Sequence, residues 1–362
     1  MKVGIVGLPF VGKTTIFNAL TKAKAKTGEL DLRPKNPNQA IIKISDERLY
    51  KLSELSCPKK VTPAEIDYID VGGLVEEEEK KKKSEGQFYA TLRETDELLQ
   101  VVREFKDECI THLPGKINPQ RDIKNFDDDL MLLDLDLIEK RMSRLQRNIK
   151  VGKLEDKGEI ELLDQLKKAL EEGMPLRKLK LNPSEEKLTK GYGFLSLKPM
   201  LILLNISEDK IGSVGQMEKE LKDCMDDEKM DICAVCGKLE MELSQLGEED
   251  KMVFMRELCI DKSALDRVVR SSYRLLNLIS FFTANQNEVK AWAIESGSTA
   301  LKAAGTVHSD MAKGFIKAEA ISYEKLMEFG STVRAKEKGE LRLEGKDYIV
   351  KDGDVIFFRF NP

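Results

Sequence analysis

The sequence predicts an α/β domain, a helical hairpin inserted into that domain, and a small α+β domain at the end of the chain. Three observations support this prediction. A strand, a glycine loop and a helix open the chain, and a heptad pattern fills its middle. Short strands between glycine turns fill its end, and we predict them at 279–283, 291–294, 348–350 and 355–360. We place the α/β domain at 1–124 and 191–277, the hairpin at 125–190 and the last domain at 278–362.

Composition and charge narrow the functional classes. The chain has 362 residues, 41% hydrophobic and 34% charged, which is typical of a globular protein with more than one core. Its net charge of −4 provides no overall basic field, so we expect no DNA binding, and any RNA or ribosome contact must come from a local patch. No apolar run approaches the roughly 18 residues of a membrane span. With an immediate first strand and six scattered cysteines, we expect no signal peptide, no membrane contact and a cytoplasmic protein with reduced thiols.

The α/β domain begins with the β-branched run 2–6, followed by a glycine loop and a helical segment at 14–20. This order of elements opens nucleotide-binding α/β folds. Further buried-strand candidates are 64–71, 98–105, 199–205 and, more weakly, 230–235.

The glycine loop matches the phosphate-binding pattern G-x-x-x-x-G-K-[ST] from Gly7 to Thr14. Glycines at 7 and 12 let the backbone wrap around phosphates with its N–H groups directed inward, and the following helix adds its positive end. Lys13 supplies a charge to the outer phosphates, and the Thr14 hydroxyl binds Mg²⁺. The predicted nucleotide contacts in this segment are Phe10, Val11, Gly12, Lys13, Thr14 and Thr15.

A second motif, D-x-x-G, ends the predicted strand 64–71. Asp70 would reach Mg²⁺, commonly through water, and the Gly73 amide would sense the γ-phosphate, so we assign catalytic roles to Lys13 and Gly73. The motif alone could be any turn. Its position about 55 residues after a phosphate loop favours the nucleotide-binding interpretation.

The base-reading motif departs from the GTPase pattern N-K-x-D. After the strand at 199–205 the chain has Asn205-Ile206-Ser207-Glu208. The GTPase aspartate accepts two hydrogen bonds from guanine, and the longer glutamate should not occupy the same bidentate position. We therefore expect Asn205 and Glu208 to border the base, and the glutamate argues against guanine specificity.

With these motifs in place, the sequence resembles one family, the Obg-like ATPases, also called YchF, across essentially the whole chain. The end of the chain, from FFTANQNEVKAWAIESGSTALKAAGTVHSD to LRLEGKDYIVKDGDVIFFRFN, looks like the family's ubiquitin-like TGS domain. The resemblance implies a G domain, an inserted coiled coil and a TGS domain. It also implies a preference for ATP over GTP, which N-x-x-E at 205–208 marks in this family. Slow ATP hydrolysis, association with the ribosome or its RNA, and a cytoplasmic regulatory role are implied as well. The other matching tracts are GLPFVGKTTIFNALT at 7–21, DERLYKL at 46–52, DVGGLV at 70–75, HLPGKINPQRDI at 112–123, NISE at 205–208 and GKLEMEL at 237–243.

The residues expected to drive hydrolysis depart from common patterns. Leu74, an apolar substitution that the family shares, stands where Ras-like proteins place a water-orienting glutamine, so hydrolysis should need a partner or an ion. Near Pro34 the chain lacks the threonine that the family places before a Pro-Asn pair, and Thr91 replaces a family His or Asn. Two alternatives therefore stay open: a nucleotide-binding adaptor with negligible hydrolysis, and a GTP-specific switch.

Other segments are less informative about chemistry. The run Glu76–Lys83 predicts a salt-bridged helix or a disordered charge run, with a regulatory or RNA contact as the alternative. Cys233-x-x-Cys236 lacks a second pair, so zinc or redox chemistry is disfavoured. The hairpin carries 15 acidic and 14 basic residues and is not obviously a nucleic-acid arm. A purely structural hairpin and a partner-binding arm both stay open. Its heptad seam is Met131, Leu135, Ile138, Met142, Leu145 and Ile149, and its second apolar stripe is Ile160, Leu163, Leu166 and Leu170.

Overall fold

The computed structural model describes residues 1–21, 38–71, 86, 88–107, 115–151, 157–257 and 263–361. Its contacts divide the chain into two units. The first unit comprises Met1–Ala40 and Asp67–Leu275, and the second comprises Ile41–Ile66 and Leu276–Pro362. The domain boundaries drawn from the sequence remain a prediction, but the grouping of residues 41–66 with the C-terminal segment was not foreseen.

Twelve strands form two sheets in the described part of the chain. The first sheet has the order β2-β4-β1-β5-β6-β7, and the second has the order β11-β10-β12-β8-β9-β3. The strands are β1 (Lys2–Val6), β2 (Asn38–Ile44), β3 (Lys60–Thr62), β4 (Ala64–Asp70), β5 (Glu97–Glu104), β6 (Met200–Ile206), β7 (Met230–Val235), β8 (Leu278–Ala284), β9 (Glu288–Glu295), β10 (Phe315–Ser322), β11 (Arg342–Glu344) and β12 (Asp354–Phe360).

The strand order and register of the first sheet determine where the candidate functional site lies. Strand β1 pairs in parallel with β4 and β5, β5 with β6, and β6 with β7. Strands β5 and β6 are buried along almost their whole length, because helices cover both faces of a parallel sheet. The register aligns Ile5 with Asp70 and Arg103 with Asn205, so the carboxyl ends of four strands meet at one edge. Ligands of open α/β sheets bind at this edge.

Helices fill the connections. They are α1 (Lys13–Thr21), α2 (Glu47–Ser56), α3 (Pro119–Lys150), α4 (Lys157–Glu171), α5 (Pro183–Lys190), α6 (Val214–Asp223), α7 (Gly237–Gln245), α8 (Glu248–Glu257), α9 (Ala264–Leu275), α10 (Ala300–Val307), α11 (Ser309–Lys313), α12 (Tyr323–Phe329) and α13 (Thr332–Glu337). Short 3-10 turns occupy Leu176–Lys178 and Glu208–Ser213, and residues 88–93 are helical. In this described part, no helix is both long enough and apolar enough to span a membrane.

Helices α3 and α4 form the predicted hairpin. Ion pairs between Glu139 and Lys167 (2.9 Å) and between Arg141 and Glu159 (2.7 Å) run in opposite directions along the two helices, so the pair is antiparallel. The predicted heptad and second stripe meet between them, and the buried side chains include Met131, Ile138, Leu145, Leu163, Leu166 and Leu170. Only Ile149, at the end of the heptad, is 49% exposed.

A buried carboxylate on α3 anchors the hairpin to the rest of the first unit. Asp134 is fully buried and accepts hydrogen bonds from the backbone N–H groups of Leu195 (3.0 Å) and Ser196 (2.7 Å), from the Ser196 hydroxyl (2.8 Å) and from Arg93 (3.2 Å). These donors stabilise a charge that would otherwise be costly to bury.

The second unit contains strands that sequence patterns missed. Strands β8, β9 and β12 cover the predicted segments, whereas β10 and β11 were not predicted. The predicted strand at 348–350 is wrong, since only Ile349 forms an isolated bridge, with Thr299. Strand β10 (FIKAEAIS) contains two alanines, which have low β propensity, and its pairing with β12 determines its conformation.

Residues 41–66 complete the second unit. Strand β3 pairs in parallel with β9, and Asp46 caps α2 by accepting a hydrogen bond from the Arg48 amide. The Arg48 guanidinium lies 5.3 Å from the Phe282 ring centre and donates to Asp352 over 2.7 Å. Its partners Asp46 and Asp352 raise the Arg48 pKa, so α2 is held by a charge that stays protonated.

Candidate nucleotide-binding site

The phosphate loop depends on glycine at its two ends. Gly7 has φ 141° and Gly12 has φ 95°, backbone conformations that side chains disfavour. A Cβ at Gly7 would lie 2.4 Å from the Val101 carbonyl oxygen, and one at Gly12 would lie 2.4 Å from Asn205 Nδ2. The loop therefore runs against β5 on one side and β6 on the other, with space for backbone alone.

Lys13 opens helix α1 and is almost completely buried. Its ammonium donates to the carbonyl oxygens of Gly7 (3.0 Å) and Leu8 (2.8 Å), so the side chain folds over the loop. Burial lowers the Lys13 pKa to about 8, while nearby Asp70 opposes that shift. A buried lysine with few charges around it gains most from an anionic ligand placed beside the loop.

Thr14 and Asp70 meet at the end of β4. The Thr14 hydroxyl donates to Asp70 Oδ2 over 3.2 Å, and Asp70 is 3% exposed. A hydroxyl and a carboxylate are the hard oxygen ligands that Mg²⁺ prefers, and Mg²⁺ sites commonly use only one or two such protein groups beside nucleotide phosphates and water. The donor set therefore fits the magnesium ion implied by the sequence motif.

Asn205 ties three loops together. Its Nδ2 donates to the Val11 carbonyl oxygen over 2.9 Å, and its Oδ1 accepts from the Gly237 amide over 3.0 Å. The side chain is 5% exposed. Asn205 thus connects the end of β6 to the phosphate loop and to the start of α7, and it acts on the site through backbone positions.

Glu208 lies on the surface at the start of the 3-10 turn after β6. Its carboxylate pairs with Lys238 over 3.0 Å, with the glutamate side chain 55% exposed. Two residues later, Lys210 pairs with Glu104 at the end of β5 over 2.5 Å. The base-reading segment is therefore held to both β5 and α7 by ion pairs, and Glu208 stays accessible to a base.

The remaining residues of the phosphate loop and the first turn of α1 differ in the groups that they expose. Phe10 adopts a left-handed φ of 62° and is 49% exposed, so an apolar ring stands at the loop surface. The Val11 side chain is buried, which leaves its backbone N–H as the group that could contact phosphate. Thr15 is partly buried in the first turn of α1.

Several sequence predictions lie outside the described residues. These are Gly73 and Leu74, the Pro34 region and the charged run 76–83. Thr91 is described, and its carbonyl oxygen accepts from the Glu94 amide over 3.1 Å as a helix ends. Cys233 is buried against the Ser271 hydroxyl (3.5 Å), and burial raises its thiol pKa to about 11, which makes it a poor nucleophile.

The family resemblance placed Gly237 and Lys238 in a loop near the base, but sequence reasoning assigned neither residue a role of its own. A Cβ on Gly237 would lie 2.8 Å from Ile16 Cδ1 and 2.9 Å from Asn205 Oδ1, so this position too accepts backbone only. The signal that could have found both residues is the strand–loop–helix order from β7 into α7, which repeats the order of the phosphate loop.

Together the parallel sheet, the phosphate loop and the loop after β6 define a P-loop nucleotide-binding protein with a GTPase-type domain. Two family models match the chain: the 50S ribosome-binding GTPase model over residues 2–141, and the YchF-GTPase C-terminal model, described as a protein of unknown function (DUF933), over 278–361. The chain belongs to the YchF family.

Individual relatives cover the chain from end to end. The ribosome-binding ATPase YchF of Bacillus subtilis is 40% identical, with 99% of this chain and 98% of the relative aligned. The protein of the same name from Haemophilus ducreyi is 41% identical, with 99% of each chain aligned. A solved structure of the Schizosaccharomyces pombe YchF GTPase superposes with a TM-score of 0.82 at 28% identity, covering 99% of this chain and 97% of that one.

Proposed function

We propose that this protein is an ATP-preferring P-loop NTPase that hydrolyses ATP slowly to ADP and phosphate, with Mg²⁺, and associates with the ribosome according to its nucleotide state. The observation that carries the proposal is the convergence of Lys13, Thr14, Asp70 and Asn205 at the carboxyl edge of one parallel sheet. The names of the bacterial relatives, ribosome-binding ATPases, support the substrate and the partner.

Each residue has a role in this proposal. Lys13 and the loop amides hold the phosphates, and their fixed N–H groups need no rearrangement as charge develops. Thr14, with Asp70 through water, would hold Mg²⁺, and the ion would supply positive charge that neutralises the phosphates. Gly73 would contact the γ-phosphate through its amide. Asn205 positions the phosphate loop, and Phe10 and Thr15 border the nucleotide.

Base preference follows from the loop after β6. The edge of guanine offers a carboxylate two adjacent donors, whereas adenine offers its amino group as the donor. Glu208 is one methylene longer than the GTPase aspartate, and it pairs with Lys238 at 3.0 Å. A carboxylate with one oxygen on Lys238 has its other oxygen for a single donor, which favours adenine.

A second candidate is a nucleotide-binding adaptor with negligible hydrolysis. Leu74 in place of a water-orienting glutamine, and the missing threonine near Pro34, favour it. Of the two interpretations we adopt slow basal hydrolysis of ATP, which a partner or an ion would activate. We place the protein in the cytoplasm, where ATP, Mg²⁺ and ribosomes are available.

The test is a titration of the purified chain with fluorescent ATP and GTP analogues in Mg²⁺, followed by phosphate release with and without ribosomes. We expect tighter ATP binding, slow release, and ribosome co-sedimentation that changes between ATP and ADP. Lys13→Ala should abolish binding, whereas the exposed substitution Lys43→Ala should not. Tight binding without release under all conditions would establish the adaptor, and GTP preference would overturn the role given to Glu208.

A further inference from the structure

The long hairpin helix α3 is polarised along its length. Its first part, 119–139, carries seven acidic and two basic residues, whereas its distal part, 140–151, carries five basic residues and no acidic one. The near-zero total charge of the hairpin hides this separation. Arg141 is neutralised by its ion pair with Glu159 on α4. The other four cations give the distal part of α3 a local positive field that the composition of the hairpin does not indicate.

The basic residues Lys140, Arg144 and Arg147 form a row on one face, which we call the distal basic row. Each follows a hairpin packing residue (Ile138, Met142, Leu145) by two positions, or about 200° around the helix. The row therefore points away from α4. All three side chains are exposed, as is Lys150 one turn further on.

The acidic residues that would neutralise the row are distant or few. Among the described residues, Lys140 pairs with Asp136 at 2.5 Å in an exposed i,i+4 pair, which is worth little energy. Arg147 Nε donates to the Ser143 carbonyl oxygen over 3.2 Å. Within the described chain, Arg144 and Lys150 form no ion pair. Most of the positive charge of the row is therefore available to a partner.

A basic helix end has a simpler explanation, since cations near a helix C-terminus complement its dipole. That effect is confined to the last turn, which here contains Arg147 and Lys150. Lys140 and Arg144 lie further from the end, and the dipole does not explain their position or the absence of acidic residues from 140 to 151.

We propose that the distal basic row binds the phosphate backbone of ribosomal RNA. Neighbouring row members lie one turn apart, roughly 5–6 Å, so a linear set of cations faces a linear set of phosphates. Arginine forks match phosphate oxygens in pairs. Between Lys140 and Arg147 this face contains no apolar or aromatic anchor of the kind that dominates protein interfaces, so RNA fits it better than an acidic protein surface.

This inference rests on the proposed ribosome association and assigns it a surface. The contact would be independent of sequence, because phosphates carry no base information. The contact would also lie in the distal part of α3, a helix of 32 residues. Substituting the basic side chains of the row should therefore leave the phosphate loop unchanged.

The experiment uses the full chain and the triple variant Lys140→Gln, Arg144→Gln, Arg147→Gln, which removes the three members of the row. Its matched control is Arg334→Gln, Lys336→Gln, Lys338→Gln, which removes equal charge from exposed positions at the end of α13. Binding to ribosomes and to a duplex RNA oligonucleotide is measured over a salt series, with ATP-analogue binding as the readout of an intact G domain.

We expect the hairpin variant to bind both targets about tenfold more weakly at low salt, with a salt slope smaller by about 2, because each lost phosphate contact lowers the slope by roughly 0.7–0.9. ATP binding and the control should stay unchanged. Equal loss in both variants, or no loss in the hairpin variant, would overturn the proposal. Loss on ribosomes with unchanged RNA binding would assign the row to an acidic protein instead.

The outcome also separates the two proposals. If the wild-type chain binds duplex RNA through the row but does not bind ribosomes, the proposed function fails and the RNA-binding surface stands. If the wild-type chain binds ribosomes and the hairpin variant binds equally well, the proposed function stands and the inference fails.

Discussion

The side-chain amide of Asn205 donates a hydrogen bond to the carbonyl oxygen of Val11 over 2.9 Å, in the middle of the phosphate loop. Because its oxygen also accepts from the Gly237 amide over 3.0 Å, one buried side chain holds two loops in register. A residue expected from its motif to border the base therefore also controls the shape of the phosphate site.

Replacing Asn205 by Ala should weaken nucleotide binding about tenfold to a hundredfold. The variant loses two buried hydrogen bonds and leaves the Val11 carbonyl and the Gly237 amide unpaired, at roughly 1–3 kcal/mol for each group, and part of this cost is lost from nucleotide binding. Fluorescent ATP titration measures the effect. Ser213→Ala, which removes one bond to the Lys210 carbonyl in the same segment, is the control. Unchanged ATP affinity in Asn205→Ala would show that the loop keeps its shape without this link.

Shortening Glu208 to Asp should reduce the preference for ATP over GTP by about tenfold, since single base contacts of this kind are worth roughly 1–3 kcal/mol. The aspartate is the length that guanine binding uses, and it should lose its ion pair with Lys238. Competition of ATP and GTP for one fluorescent analogue gives the ratio. Glu242→Asp, an exposed change on α7, should leave the ratio as it is. A constant ratio in Glu208→Asp would mean that this carboxylate does not read the base.

Replacing Asp134 by Ala should destabilise the first unit by about 3 kcal/mol, because it leaves buried donors of Leu195 and Ser196 unpaired. The matched control is Asp136→Ala, two residues along the same helix, which removes an exposed pair with Lys140 and should cost less than about 1 kcal/mol. The unfolding free energies of both variants are measured by urea denaturation monitored by far-UV circular dichroism. Similar losses of unfolding free energy in the two variants would show that the buried hydrogen bonds of Asp134 stabilise the protein no more than an exposed ion pair does.

The sequence predicted the parts of the site that are contiguous in the chain. The loop from Gly7 to Thr14 is one such part, because each residue's role depends on its immediate neighbours. The link from Asn205 to Gly237 could not be predicted in the same way, since it depends on the order of strands in the sheet. The Glu208–Lys238 ion pair could not be predicted for the same reason, since it also depends on which strands are neighbours in the sheet.

Two further features escaped sequence analysis for physical reasons. Strand β3 has only three residues, too few for a periodic pattern, so the attachment of residues 41–66 to the second unit left no signal. The distal basic row was hidden because charges were summed over the whole hairpin, whereas the field at a surface depends on where the charges lie.

Glu97, at the start of β5, should make stability depend on pH. It is fully buried, accepts from the Ser272 hydroxyl over 2.8 Å, and its second oxygen has no hydrogen-bond partner among the described residues. Burial raises its pKa to about 8, and the nearby Asp231 and Asp96 add to the shift. The folded state therefore keeps a proton that the unfolded chain releases near its ordinary pKa.

Stability from this group is fully present below the unfolded pKa of about 4.5 and is lost as pH rises toward about 8, at up to roughly 1.4 kcal/mol per pH unit. Glu97→Gln cannot ionise, so its stability relative to the wild type should increase across that window and level off above it. Unfolding free energies at about pH 5, 7 and 9 test this. The control Glu94→Gln, at a side chain that is 74% exposed, should show no such trend. If the stability difference between Glu97→Gln and the wild type does not change with pH, Glu97 is ionised in the folded protein at all three pH values.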